Sequence, residues 1–171
     1  LLRGGARGAG TGFGARLVEA FVAAARAQRA RDIYLATFRT PPWNAPDRVE
    51  EIVLGFRNGL PISLDGVEMA LVDLIPKVAE IACRNGVGIV DHIEDRVVGL
   101  KVRDIYEVPA ATVILTAHRE LEKLVCTGRQ NALKPQLDAL WAQLVYEGLW
   151  YEPLRADLDT FMQTVNAKVE G

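Results

Sequence analysis

Between positions 86 and 109 the chain reads GVGIVDHIEDRVVGLKVRDIYEVP, with charged and polar groups set into an apolar run that lacks helical spacing. That pattern predicts two or three short strands over 89–108 lining a polar site. Glu94 and Arg96 stand two apart, as do Lys101 and Arg103, so on a strand each pair projects from one face. Lys101 and Arg103 are suited to facing phosphate or carboxylate groups. Between them and Glu94, Val97-Val98-Gly99-Leu100 supplies β-branched residues and one position where a ligand or second strand can approach the backbone closely. Read as residues alone, Glu94 is a pairing partner for Arg96 or Lys101, and Tyr106 is a core aromatic with a satisfied hydroxyl. The two histidines, His92 and His118, have no acid, nucleophile, cysteine or second histidine at a useful spacing. Neither is expected to be catalytic or to hold a metal, and His118 sits among Val113, Ile114, Ala117 and Leu121 as a helix residue.

Elements able to position such a site come next. Of the 171 residues, 50% are hydrophobic and 25% charged, which suits a globular domain with its own core. A net charge of −2 argues against nucleic acid or an anionic membrane as partner, while leaving small, partly anionic substrates open. No apolar run reaches the roughly 20 residues needed to cross a bilayer, and no signal-peptide order precedes the globular part. Cys83 and Cys126 are the only cysteines, expected as thiols in a reducing compartment, and a cytoplasmic location follows.

Residues 1–31 stand apart, with six Arg, one Glu and no Lys or Pro, and with glycines at 4, 5, 8, 10, 12 and 14. This stretch is expected to be a low-complexity tail, with a short helix over 15–30. Its G+C-rich codons make a displaced start or a reading-frame error in the gene a further expectation. From Asp32 the sequence turns globular, and 41–47 (PPWNAPD) reads as a rigid, non-helical connection. Two strands, 51–56 and 60–64, flank Asn58-Gly59 as a hairpin, and Asp65-Gly66 makes the next turn. A helix is predicted over 67–84, kinked or divided at Pro76 and stopped by Asn85-Gly86. After Pro109 three helices are predicted: one from Pro109, one over 135–150 and one from Glu152 with an apolar stripe reaching Val169. Trp141, Trp150 and Phe161 lie on these stripes and are read as core. The expected fold is therefore α+β, a small mixed or antiparallel sheet packed with several helices, with a helical C-terminal half.

The segment 86–109 resembles G-V-G-R-I-D-x-V-E-N-R-x-V-G-x-K-S-R-x-x-Y-E-x-P of the argininosuccinate synthase family, without gaps. Ala45-Pro46-Asp47, Asn58-Gly59-Leu60-Pro61, the run from Ala117 to Glu122 and the run from Leu144 to Trp150 are similar, in order, to further motifs of that family. The chain departs at Ile89, Asp95 and Val102, where the family pattern has Arg, Asn and Ser, so roles needing those side chains do not carry over. The resemblance spans 32–171 and implies a C-terminal synthetase domain.

By that resemblance, the family glutamate and tyrosine of the citrulline site, twelve positions apart, fall on Glu94 and Tyr106. A carboxylate binds the citrulline ammonium by a charge-assisted hydrogen bond, and a phenol donates to or accepts from its polar groups. The resemblance also implies ATP-dependent ligation of citrulline and aspartate to argininosuccinate, with release of AMP and pyrophosphate, in arginine biosynthesis. ATP would be the co-substrate, yet the family's S-G-G-x-D-T-S phosphate loop is not among these 171 residues. The expectation is a fragment that supplies part of the citrulline site, carries no catalytic residue or metal of its own and is inactive alone. A homo-oligomer, a split enzyme completed by a separate nucleotide-binding half, and a non-catalytic assembly module all remain open.

Overall fold

The computed structural model describes residues 40–171. Among these, five strands and four α-helices follow in order: β1 Leu54–Arg57, β2 Leu60–Leu64, β3 Val67–Glu68, α1 Leu71–Arg84, β4 Ile89–Asp95, β5 Lys101–Glu107, α2 Pro109–Val125, α3 Gly128–Tyr146 and α4 Pro153–Asn166. The class is α+β, with two separate antiparallel sheets, β1-β2-β3 and β4-β5. The expected tail 1–31 lies outside the described residues. The chain divides into two compact units, with the divisions falling after Ile52 and inside α1, α2 and the β4–β5 hairpin.

One unit comprises, among the described residues, 40–52, Ile75–Asp95 and Lys101–Val113. The segment expected to be wholly non-helical contains one 3-10 turn, Pro42–Asn44, because Pro41 and Pro42 both hold φ near helical values at its start. Val78, Ala82 and Cys83 of α1 are buried, which is the apolar stripe at helical spacing. Pro76 neither ends nor divides this helix; it sits in the second turn, where only one internal bond is forfeited. Past Arg84, Gly86 takes φ +65°, its N–H reaching the Cys83 carbonyl while Val87 reaches Ala82, a reverse turn that closes the helix. A Cβ on Gly86 would meet the Pro42 backbone at 2.9 Å.

The other unit comprises Val53–Leu74, Arg96–Leu100 and Ile114–Gly171. Asn58 and Gly59 both adopt positive φ, as do Asp65 and Gly66, so both turns are the two-residue kind whose twist suits antiparallel strands. The first strand begins at Leu54 rather than at 51. Val67 and Glu68 pair with β2 as β3, so the helix predicted from 67 starts only at Leu71, sheet pairing having overridden local helical spacing.

α3 begins seven residues ahead of Pro135, which was expected to open it. Thr127 Oγ1 accepts from the Gln130 N–H at 3.3 Å and Gln130 Oε1 accepts from the Thr127 N–H at 3.1 Å. This reciprocal cap satisfies two backbone donors at the helix start, those of Thr127 and Gln130, and fixes the start upstream of the proline. α4 ends at Asn166, and Val169, expected on its stripe, instead turns back to β1. There the Val169 carbonyl accepts from Gly59, Gly171 exchanges backbone bonds with Phe56, and the Val169 side chain is fully buried. α3 and α4 pack together, with Trp141 Nε1 donating to Asp159 Oδ1 at 2.7 Å. Leu144, Leu158 and Val165 are buried, while Trp150, placed in the core by its spacing, lies past the end of α3 and is half exposed under the Arg155 guanidinium.

Candidate functional site

The polar segment forms a hairpin of two seven-residue strands, β4 and β5, in unbroken register from Ile89↔Glu107 to Asp95↔Lys101. Because side chains alternate, the register assigns each charge to a face. Val90, His92 and Glu94 lie over Tyr106, Asp104 and Val102 on one face. Asp91, Ile93 and Asp95 lie over Ile105, Arg103 and Lys101 on the other.

On the first face the Tyr106 hydroxyl donates to Glu94 Oε1 at 3.2 Å and lies 3.5 Å from Asp104 Oδ2. His92 Nε2 is 3.8 Å from Glu94 Oε2, and its ring tilts against Tyr106 with centroids 6.5 Å apart. The Glu94 side chain is 17% exposed and that of His92 51%, whereas Tyr106 keeps 38% of its surface open. A carboxylate held by a phenol, mostly covered yet still open to solvent, is an arrangement able to bind a small cationic group.

On the opposite face Arg103 grips Asp91 with two parallel bonds, Nε to Oδ1 at 2.9 Å and Nη2 to Oδ2 at 2.7 Å. That guanidinium holds the Asp91 carboxyl below its ordinary range, and Asp91 in turn raises Arg103. Lys101 pairs with Asp95, directly across the ladder. The two cations therefore share a face, as the spacing predicted, but it is not the face of Glu94. Lys101 is thereby taken out of the pairing with Glu94 that the bare sequence allowed.

His118 lies in the other unit, on α2. Its Nδ1 is 3.7 Å from Glu122 Oε2, its ring stands edge-on to Phe56, and burial pushes its basicity below the ordinary histidine value. Among the described residues no group of three or more His, Cys, Asp or Glu is placed to hold a metal, and Cys83 and Cys126 are free thiols. No helix among the described residues is long and apolar enough to cross a membrane.

Asp104 was not singled out by sequence. The signal was present, since it stands two before Tyr106 on a strand and so must share its face. A second unforeseen group is Glu50, gripped by Arg84 and by Asn85 Nδ2 at 2.7 Å. The Arg84 hydrogen bond, then that of Asn85, takes its carboxyl down to about 2. Partners 34 positions apart leave no local trace in a sequence.

The family model for the Arginosuccinate synthase C-terminal domain matches residues 16–171, starting within the stretch 1–31 that composition set apart. The chain is 50% identical over 127 residues to the argininosuccinate synthase of Pyrococcus furiosus, covering 74% of this chain and 31% of that protein. It is 51% identical over 132 residues to that of Methanococcoides burtonii, covering 77% and 33%. Against that of Moorella thermoacetica it is 41% identical over 140 residues, covering 82% and 34%. The chain spans about a third of the length of the curated relatives it matches.

Proposed function

Because this chain belongs to the argininosuccinate synthase family, matching its C-terminal domain, we propose that residues 32–171 form a domain supplying part of a citrulline site, with Glu94 and Tyr106 facing the substrate. The observation that carries this reading is the placement of the two side chains on one face of the hairpin, hydroxyl to carboxylate at 3.2 Å. Glu94 offers its carboxylate to the citrulline ammonium, and Tyr106 offers a hydroxyl to a neighbouring polar group.

In the complete reaction the ureido oxygen of citrulline attacks the α-phosphorus of ATP, and pyrophosphate leaves. The aspartate amine then attacks the ureido carbon and AMP leaves, the amine losing its proton. The hairpin contributes orientation of the ureido group, lowering the entropic part of the barrier, and no proton transfer. ATP is held by residues outside 32–171, either in the same polypeptide or in a separate nucleotide-binding half, and the 171 residues alone perform no ligation. Apolar side chains open to solvent, Leu115 and Leu124 on α2 among them, favour a homo-oligomer or such a half as partner, working in the cytoplasm. A non-catalytic assembly module is the competing reading, and it predicts no substrate binding.

Titrating citrulline into the chain while following amide NMR shifts tests this. Shifts should cluster on β4 and β5, and Glu94→Gln should weaken binding about tenfold or more, the worth of one charge-assisted bond. Binding unaffected by Glu94→Gln, or shifts confined to other elements, would refute the assignment. Pyrophosphate release by the chain alone with ATP, citrulline and aspartate would refute its inactivity.

A further inference from the structure

On the face that carries Glu94 and Tyr106, the side chains form three ranks: Val90 with Tyr106, His92 with Asp104, and Glu94 with Val102. Glu94 and Tyr106 are thus not cross-strand neighbours. The phenol reaches Glu94 by leaning along the strand over the rank that holds Asp104, which brings its oxygen to 3.2 Å from Glu94 Oε1 and 3.5 Å from Asp104 Oδ2. A phenol has one proton to give, so it serves one carboxylate at a time. With two acceptors in reach, the hydrogen changes partner by turning about the Cζ–O bond, without moving the ring.

We propose that Asp104 is a positioning residue of this site, the alternate acceptor that takes the Tyr106 hydroxyl when a ligand ammonium claims Glu94. The inference rests on the reading of Glu94 and Tyr106 as facing the substrate. An arriving ammonium and the phenol compete for the same Glu94 carboxylate. The displaced hydroxyl loses a charge-assisted hydrogen bond unless another carboxylate accepts it. With Asp104, the phenol keeps a partner, and its lone pairs turn toward the ligand. Asp104 acts through Tyr106, so its effect must vanish when the hydroxyl is absent.

The test uses the full chain labelled with 13C at tyrosine Cζ, whose shift reports the hydrogen bond of the hydroxyl, together with citrulline titration. Asp104→Ala is expected to weaken citrulline binding about tenfold, and Asp104→Asn, which keeps an acceptor oxygen, to restore most of it. In a Tyr106→Phe background Asp104→Ala should cost nothing further. Unchanged affinity in Asp104→Ala overturns the proposal, as does a loss of the same size with and without the hydroxyl. If the unaltered chain fails to bind citrulline, the substrate assignment falls and the ligand-free arm decides about Asp104. There Glu94→Ala should pass the hydroxyl to Asp104, so that adding Asp104→Ala to Glu94→Ala displaces the Tyr106 resonance. No displacement overturns the proposal.

Discussion

A Cβ placed on Gly88 would lie 2.3 Å from Cα and 2.6 Å from N of Pro109. Gly88 also holds φ at +109° and accepts the Val108 N–H through its carbonyl at 2.7 Å, so it clamps the start of β4 to the start of α2. Gly88→Ala should therefore combine backbone strain with a clash against backbone that cannot turn away, costing about 2–4 kcal/mol. Urea unfolding would measure it, and a loss below about 0.5 kcal/mol would contradict the contact.

Lys134 is buried within α3 and meets Glu122 Oε2 at 3.1 Å and Asp138 Oδ2 at 2.8 Å. Burial works against its charge, yet the hydrogen bonds from Asp138 and Glu122 outweigh it and leave its basicity above the ordinary lysine value. Lys134→Ala strands the buried Glu122 carboxylate and should destabilise by about 3 kcal/mol, whereas pairing Lys134→Met with Glu122→Gln should recover much of that. Equal losses in the single and double variants, by chemical denaturation, would argue against a desolvated pair.

Glu50 should support the fold only while ionised. Its folded value, about 2, lies below the unfolded value of 4.5, so its contribution is complete above pH 4.5 and disappears as pH falls toward 2. Unfolding free energy measured between pH 6 and pH 2 should fall less steeply in Glu50→Gln than in the unaltered chain. Parallel curves would show that the Arg84 and Asn85 contacts do not hold in solution.

His118 carries the same sign at higher pH. Burial lowers its folded value below the ordinary 6.5, so the neutral ring supports the fold above that pH, and the support is lost as pH falls toward the lowered value. His118→Gln should flatten the stability profile between pH 7.5 and pH 5. A profile as steep in the variant would assign the slope to other groups.

Arg103 tests the division of faces. Its bond pair to Asp91 lies opposite Glu94, so Arg103→Ala should lower stability by about 1 kcal/mol or less and change citrulline affinity less than about twofold. A tenfold loss of affinity would place the substrate on the wrong face.

How far the fold was legible depended on whether a signal was local. Asn58-Gly59, Asp65-Gly66 and Asn85-Gly86 turned where their φ freedom required, and Pro109 opened α2, because each acts on its own backbone. The errors arose where two local signals competed. At α3 the spacing from Pro135 points to a start there, whereas the reciprocal cap between Thr127 and Gln130 opens the helix at Gly128 and leaves the proline inside it. At Val67 and Val169, helical spacing was real, but backbone bonds to β2 and to Gly59 of the β1–β2 turn took both residues out of their helices.

For the candidate site, the sequence by itself determined the strand character of 89–107 and, through period-two alternation, that Lys101 would share a face with Arg103 and Tyr106 with Asp104. Only the tertiary structure decided what those faces hold. The register across β4 and β5 is set by pairing between residues up to 18 positions apart, from Ile89 to Glu107, and one residue of slip would have carried Glu94 to the face of Arg103. That register sent Arg103 to Asp91, Lys101 to Asp95, and the Tyr106 hydroxyl to the space between Glu94 and Asp104.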